Sequence, residues 1–378
     1  MGEEDHDFGG LTVDTSIFDN HGIRLESGLL RKLDQFKPTD VELAISDIVL
    51  NEVRNHLKSK VSEIKNKLEK SIKDTETHLC FDSSKINDGK SILIPEKSPE
   101  EITDERLKDF QESNGFTTVE SSKYLNVDEL INSYFSHKAP FSESGQKKNE
   151  FPDAIALLSL EKWAEENEIK VLAVSTDKDW VKFCEVSDWL FIKGDLAEAI
   201  STFQPKTAPY HFCDVLAKAI SSGDDQAVIA DIEQAACDYT NDLYLYAEAT
   251  SGFFWEATDS VEVNYESFEF VEDGNNQPVL RLVEVEEESI VIEAKVIIKA
   301  EASCSFSLSV HDSIDKDYVF LDSSSASTDF EYKTDVLMTL AGEFDQGMDA
   351  VELVGIEFLS SPNSVEFGDL QPDFWDDE

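Results

Sequence analysis

What this chain has little of narrows its chemistry. Its five cysteines (Cys80, Cys184, Cys213, Cys237 and Cys304) form an odd set with no short pair spacing. That pattern excludes a disulfide framework and a zinc knuckle, and predicts reduced thiols in a cytoplasmic protein. No run approaches the ~20 apolar residues of a membrane span. Met1 to Asp7 is polar and acidic rather than basic and then apolar, so neither a bilayer nor an export route is expected. The chain has no His-Glu-x-x-His pair, no glycine-rich phosphate loop and no Gly-x-Ser-x-Gly elbow. Zinc proteases, nucleotide kinases and common esterases are thereby removed. Positive charge is scarce as well: 32 Lys and Arg stand against 80 Asp and Glu, a net charge of −48 that repels nucleic acid in general and draws in cations or basic partners.

The deficit is uneven. Residues 1–203 hold 25 Lys and Arg against 41 Asp and Glu, whereas residues 204–378 hold 7 against 39. The length suits two ordinary domains, and the less hostile half for a polyanion is the first. There, Leu11 to Asp14 reads as a short buried strand and Leu25 to Phe36 as an amphipathic helix, with Leu25, Leu29, Leu30, Leu33 and Phe36 near helical spacing. Val41 to Ile45 is the next strand, followed by a long helix from Ser46 or Asp47 through Ile72. Periodicity weakens over about 76–148, which reads as a mainly helical insertion. A helix from Pro152 to Glu166, strands Lys170–Ser175 and Trp189–Ile192, and helices Lys178–Glu185 and Asp195–Phe203 complete an alternation that predicts a mostly parallel, doubly wound sheet over 9–203.

Four acidic residues sit where a strand ends or a helix begins: Asp14, Glu52, Asp153 and Asp177. Ligands gather beyond the carboxyl ends of parallel strands, so residues far apart in sequence can meet there. Carboxylates without Cys or His point to a hard cation, Mg²⁺ or Mn²⁺. Crowded carboxylates also repel one another, which raises some of their pKa values unless a cation compensates.

The segments Asp14-Thr15-Ser16-Ile17-Phe18, Val49-Leu50-Asn51-Glu52-Val53, Glu150-Phe151-Pro152-Asp153-Ala154 and Ser175-Thr176-Asp177-Lys178-Asp179-Trp180 resemble, in order and context, a PIN-domain nuclease of a bacterial PIN-like branch. The resemblance implies that Asp14, Glu52, Asp153 and Asp177 hold one or two divalent ions that activate water, with Asp179 as a fifth carboxylate. It also implies that Thr15 and Ser16 steady Asp14 or a metal-bound water. Asp177 and Asp179 compete: either could face the cleft while the other caps the following helix. Lys147 and Lys148 are candidates for holding a phosphate backbone. His56 shares the helical face of Glu52 and is expected to support structure rather than to bind the cation. Glu150 is a further carboxylate beside the set.

In the second half, 204–243 reads as a helical linker, and 244–361 as an acidic antiparallel β-rich domain, a small sandwich or barrel. Its expected strands are Val261–Phe270, Val279–Glu286, Ser289–Ala302, Cys304–Val310 and Val351–Phe358. Residues 362–378 read as an acidic tail. Glu262, Glu266, Glu269, Glu272, Glu284, Glu286, Glu287 and Glu288 line a solvated sheet face, or one that imitates a nucleic-acid backbone. Asp312, Asp315 and Asp317 lack the glycine and distal glutamate of an EF-hand and are expected in a turn.

The fold class is therefore α/β, a parallel sheet flanked by helices followed by a smaller antiparallel domain. The expected function is metal-dependent hydrolysis of phosphodiester bonds, in RNA before DNA, as a toxin or defence effector. The competing readings are a structure-selective DNA nuclease of the same fold and a non-enzymatic acidic binding protein. The expected partners are a nucleic acid and a basic protein, with a homo-oligomer admitted.

Overall fold

A computed structural model of the chain describes residues 8–79, 83–141, 150–204, 208–223, 226–286, 288–312, 317–346 and 348–372. They fall into two compact units, Met1–Phe203 and Gln204–Glu378.

In the first unit, short apolar runs become strands β1 (Gly10–Val13), β2 (Glu42–Ser46), β3 (Thr117–Val119), β4 (Val171–Val174) and β5 (Leu190–Lys193). All pair in parallel, in the order β3-β2-β1-β4-β5. Every residue of β1 and β4 is buried, as continuous apolar strands covered on both faces should be. The chain builds outward from β1 to β3, then restarts at β4 on the other side of β1. The crevice-forming switch point thus lies between the ends of β1 and β4.

Helices α1 (Thr15–Asn20), α2 (Gly28–Arg31), α3 (Asp47–Leu79), α4 (Ser83–Leu93), α5 (Pro99–Asn114), α6 (Ser121–Tyr124), α7 (Val127–Ser136), α8 (Phe151–Asn167), α9 (Lys178–Cys184) and α10 (Leu196–Phe203) flank the sheet. Two expectations need correction. Leu25 to Phe36 is not one helix but α2 followed by a 3-10 turn at Lys32–Phe36, because Ser27 is extended and Gly28 takes a positive φ of 61°. Its five apolar side chains are buried all the same. The long helix α3 continues past Ile72 to Leu79. Within 76–148, read as mainly helical, β3 is an additional strand that closes one edge of the sheet.

In the second unit, α11 (Ala208–Ser222) and α12 (Gln226–Asn241) precede strands β6 (Tyr246–Thr250), β7 (Phe254–Ala257), β8 (Glu262–Phe270), β9 (Leu280–Val285), β10 (Ser289–His311), β11 (Tyr318–Gly342), β12 (Val351–Phe358) and β13 (Ser364–Asp369). Strands β10 and β11 form a long antiparallel pair, with β7, β8 and β9 along the other side of β10 and β12 beside β11. Strands β6 and β13 pair in parallel as a separate sheet. At the end of β11, Gly342 has φ 140°, and a side chain there would collide with the Ala350 carbonyl.

One face of β10 organises this unit. Its even-numbered residues from Ile290 to Leu308 are all buried. The first of them pack with Phe212 and Leu216 of α11 and Ile232 and Ala236 of α12, and the later ones with Leu245, Val365 and Phe367. Residues 204–243 are therefore not a linker, since their helices bury apolar side chains against the sheet. The architecture is not a barrel: a single extended sheet is covered by helices along one stretch and by the two-stranded sheet along the next. Ser289–Ala302 and Cys304–Val310 are one strand, β11 is a strand that the sequence reading did not include, and the expected tail contributes β13. Asp312 and Asp317 close the β10–β11 connection through Asp312 N to Asp317 O at 2.8 Å, while Asp315 lies outside the described residues. Among the described residues no helix is long and apolar enough to cross a membrane.

Candidate functional site

The site grows from the switch point. Strand β1 ends at Val13, and Asp14, expected to complete the strand, instead caps α1 in an extended conformation. Its backbone N–H still bonds Val174 O at 3.0 Å, which sets it beside the end of β4. Four donors converge on its carboxylate. Thr15 N reaches Oδ1 at 2.7 Å, while Ser16 N, Ser16 Oγ and Ser175 Oγ reach Oδ2 at 3.3, 2.6 and 2.7 Å. Asp14 is buried, so its orientation is strongly determined.

From the neighbouring strand, α3 begins directly after β2 and carries Glu52 in its second turn. The Thr15 hydroxyl donates to Glu52 Oε2 at 2.8 Å, tying the two strand ends together. On the other side of β1, Ser175 Oγ accepts from Asp177 N at 2.9 Å, and Asp177 caps α9 by accepting from Asp179 N at 2.6 Å. Asp153 enters from a fourth element, the first turn of α8, where Trp180 of α9 donates its indole N–H to Oδ1 at 3.0 Å.

Electrostatics shows that these carboxylates share a neighbourhood. The Asp153 carboxyl is raised from 3.8 to about 7, first by burial and then by the charges of Asp14, Asp177 and Glu52, with the Trp180 hydrogen bond opposing. A position near the start of a helix should favour the charged form, so desolvation and like charge win here.

The remaining candidates separate clearly. Asp179 pairs with Lys182 at 2.9 Å, and of the competing pair it is Asp177 whose charge acts on Asp153. His56 Nδ1 sits 2.9 Å from Asp19 Oδ2, a hydrogen bond on the side of α3. Glu150 is buried just before α8. Lys147 and Lys148 lie outside the described residues. Two residues without an assigned role in the sequence reading belong to the constellation, Ser175 and Trp180. Ser175 could have been found from its place immediately after β4, which mirrors Asp14 after β1. Trp180 carries no sequence signal beyond its closeness to Asp177.

Among the described residues no group of three or more His, Cys, Asp or Glu side chains is set around one point to hold a metal ion. Each carboxylate is turned instead toward the local donor just described, the arrangement expected of mutually repelling groups. The chemistry of the set still fits a divalent ion: the donors are oxygen atoms, as Mg²⁺ and Mn²⁺ require. The raised Asp153 carboxyl is the kind of strain that a cation would relieve.

Residues 11–180 match the family model of the PIN domain, and this part of the chain is a PIN domain, a nuclease fold whose members are generally metal-dependent. No curated protein matches the chain.

Proposed function

We propose, from the PIN domain at 11–180, that the protein is a Mg²⁺- or Mn²⁺-dependent phosphodiesterase acting on RNA, with Asp14, Glu52, Asp153 and Asp177 holding the ion or ions. The observation that carries this reading is the Asp153 carboxyl, raised to about 7 in company with three other carboxylates from separate elements. Perturbed groups at a topological switch point favour a working site over a structural one.

When bound, the ion supplies an activated water at neutral pH and offsets charge on the phosphate. The chain's own residues set the stage. Ser16 and Ser175 fix the plane of the Asp14 carboxylate, and the Thr15 hydroxyl holds Glu52 toward it. The Trp180 indole orients Asp153. Asp153 must lose its proton to serve as a ligand, so ion binding releases a proton near neutral pH and strengthens as pH rises toward 7 and above. Asp179, held by Lys182, stands outside this role.

RNA is assigned by the resemblance to PIN nucleases, and the cellular role we attach is that of a toxin or defence effector acting within the cytoplasm. Cleavage of labelled single-stranded RNA and matched DNA is measured with Mg²⁺, Mn²⁺ or EDTA, using wild type, Asp14→Asn and Asp153→Asn. Metal-dependent cutting of RNA that both variants lose supports the proposal. Preferential cutting of DNA would overturn the substrate, and metal-independent or variant-insensitive cutting would overturn the site. Induced expression should slow growth in wild type and not in Asp14→Asn; equal growth would remove the toxin role.

A further inference from the structure

The second unit contains a long strand edge that its own sheet leaves open. Strand β10 pairs with β11 over the whole of Tyr318–Ala341, whereas β12 pairs only with Val336–Gly342. Among the described residues no strand pairs with the other side of Tyr318–Thr334. In an antiparallel strand roughly every second residue turns its N–H and C=O away from its partner, so this stretch offers a ready backbone template.

Proteins usually blunt such edges with proline, lysine, bulges or short length. Here no proline or glycine occurs from 318 to 341, and the stretch has one lysine, Lys333. The single register shift against β10 lies near the far end, at Leu308/Ser309. The middle, Ser323-Ser324-Ser325-Ala326-Ser327-Thr328, has only short side chains, which allow close approach by another backbone.

The exposed face beside this edge says what would approach. Directly opposed residues share a face, and Glu301 stands opposite Asp329, a like-charge pair that is unfavourable alone. Glu331, also exposed, shares the Asp329 face of β11, and Glu262 and Glu256 extend the acidic face across the sheet on the far side of β10. Of the nearby lysines, Lys299 pairs with Glu269 at 2.6 Å and Lys295 with Asp335 at 3.6 Å, while Lys333 lies at the end of the stretch nearest Thr334. Toward the far end, Phe254 and Phe320 both lie opposite Ser309, and Tyr318 opposite His311. These three aromatic side chains are 50%, 63% and 53% exposed, and the Phe254 and Tyr318 rings lie 4.5 Å apart. Acidic groups followed by exposed rings suit ammonium or guanidinium groups carried on alternate residues of a strand. A second copy of the chain would bring another −48 and a second Asp329 to the same edge.

We infer that Tyr318–Thr334 is the docking edge for an extended, basic polypeptide segment. The segment adds to the sheet as a strand beside β11, with alternate Lys or Arg side chains over Asp329, Glu301 and the aromatic end. This mode takes affinity from backbone hydrogen bonds and selectivity from alternate side chains. It stands independently of the nuclease reading.

The test uses the full chain and a fluorescein-labelled decapeptide of alternating Arg and Val, followed by anisotropy at physiological salt. A control peptide of equal charge carries N-methyl groups at alternate residues. The variants are Asp329→Lys, Ser324→Pro and Ser325→Pro. Because outward backbone groups alternate, one proline removes a bond to β10 and lowers Tm, while the other blocks only the open side and leaves Tm unchanged. The expected result is saturable binding with hydrogen-exchange protection across 318–334. Binding should be roughly tenfold weaker for Asp329→Lys and for the methylated peptide, as lost charge pairs and backbone bonds predict, and absent in the proline variant of unchanged Tm. Failure to bind, equal binding of the methylated peptide, or protection elsewhere would overturn the proposal. So would a dimer in sedimentation that the same proline variant dissociates, which would make a second copy the occupant.

Discussion

The two units carry their acidity in opposite ways. The first holds the smaller excess of negative charge, yet it brings carboxylates from four elements into one neighbourhood, where burial first and the charges of Asp14, Asp177 and Glu52 after it raise the Asp153 carboxyl to about 7. The second holds the larger excess and spreads much of it over exposed strand positions, such as Glu262, Glu266, Glu269 and Glu331. Chemistry follows from desolvation and convergence, not from the number of acidic residues. A carboxylate in water interacts weakly with its neighbours, whereas one at the end of a buried parallel strand cannot escape them.

The sharpest way to break this comparison is to remove charge from each unit in turn. Asp14→Asn should lower cleavage roughly a thousandfold, the scale of losing a main electrostatic element of a site. Glu262, Glu266 and Glu269 changed together to Gln should alter the rate less than about twofold at physiological salt, since the Debye length there is about 8 Å. Equal losses in the same assay would mean that diffuse charge matters as much as placement.

The next test is ligand linkage. Mg²⁺ or Mn²⁺ at about a hundred times its dissociation constant should stabilise the first unit by about 2.7 kcal/mol, read as a rise in Tm that EDTA reverses. Asp153→Asn should abolish that rise, and the quadruple change of Glu256, Glu262, Glu266 and Glu269 to Gln should retain it.

A slightly smaller effect concerns pH without metal. The folded Asp153 carboxyl is raised above its unfolded value of 3.8, so the folded state binds the extra proton between 3.8 and about 7. This contribution to stability is complete below 3.8 and is lost as pH rises toward 7, the opposite of a salt-bridged aspartate. Asp153→Asn, whose amide oxygen can still accept from Trp180, should gain roughly 2 kcal/mol at pH 8 relative to wild type. That figure is discounted from ~1.4 kcal/mol per unit for partial solvent access. Metal-free thermal melts at pH 4 and pH 8 check the sign; an Asn variant less stable at pH 8 would sink it. Smallest of all, Glu269→Gln breaks an exposed pair with Lys299, and the chemical-denaturation midpoint should not shift resolvably.

The parallel sheet was legible because β2 and β4 hold uninterrupted apolar runs and β1 is broken only by the small Thr12, with polar residues bounding each, the mark of strands buried on both faces. Asp14 and Asp177 stood out for the same reason, one directly after β1 and the other capping the helix after β4, whereas Glu52 lies a turn into α3 and Asp153 opens a helix that follows no strand. Strand β3 was not legible, because Thr117-Thr118-Val119 is too short to display a period and is defined by pairing with Ala44, Ile45 and Ser46. Strand β11 escaped because its Ser-rich middle carries little apolar alternation, and its register comes from residue-by-residue pairing with β10. Leu25 to Phe36 misled in the other direction, since its apolar spacing satisfies two short turns as well as one helix. The hydroxyl of Ser175 and the indole of Trp180 act through contacts with Asp14 and Asp153, residues far away in sequence, and no local pattern announces such contacts.

Strand β10 supplies alternate side chains to two successive cores, one roofed by α11 and α12 and the other by β6 and β13. Neither roof can lift away without exposing part of the same strand, and a slip of one residue would turn both apolar rows to water at once. The strand therefore works as a common axle: the second unit should melt in a single calorimetric step, and damage near Phe306 should be felt at Ile292.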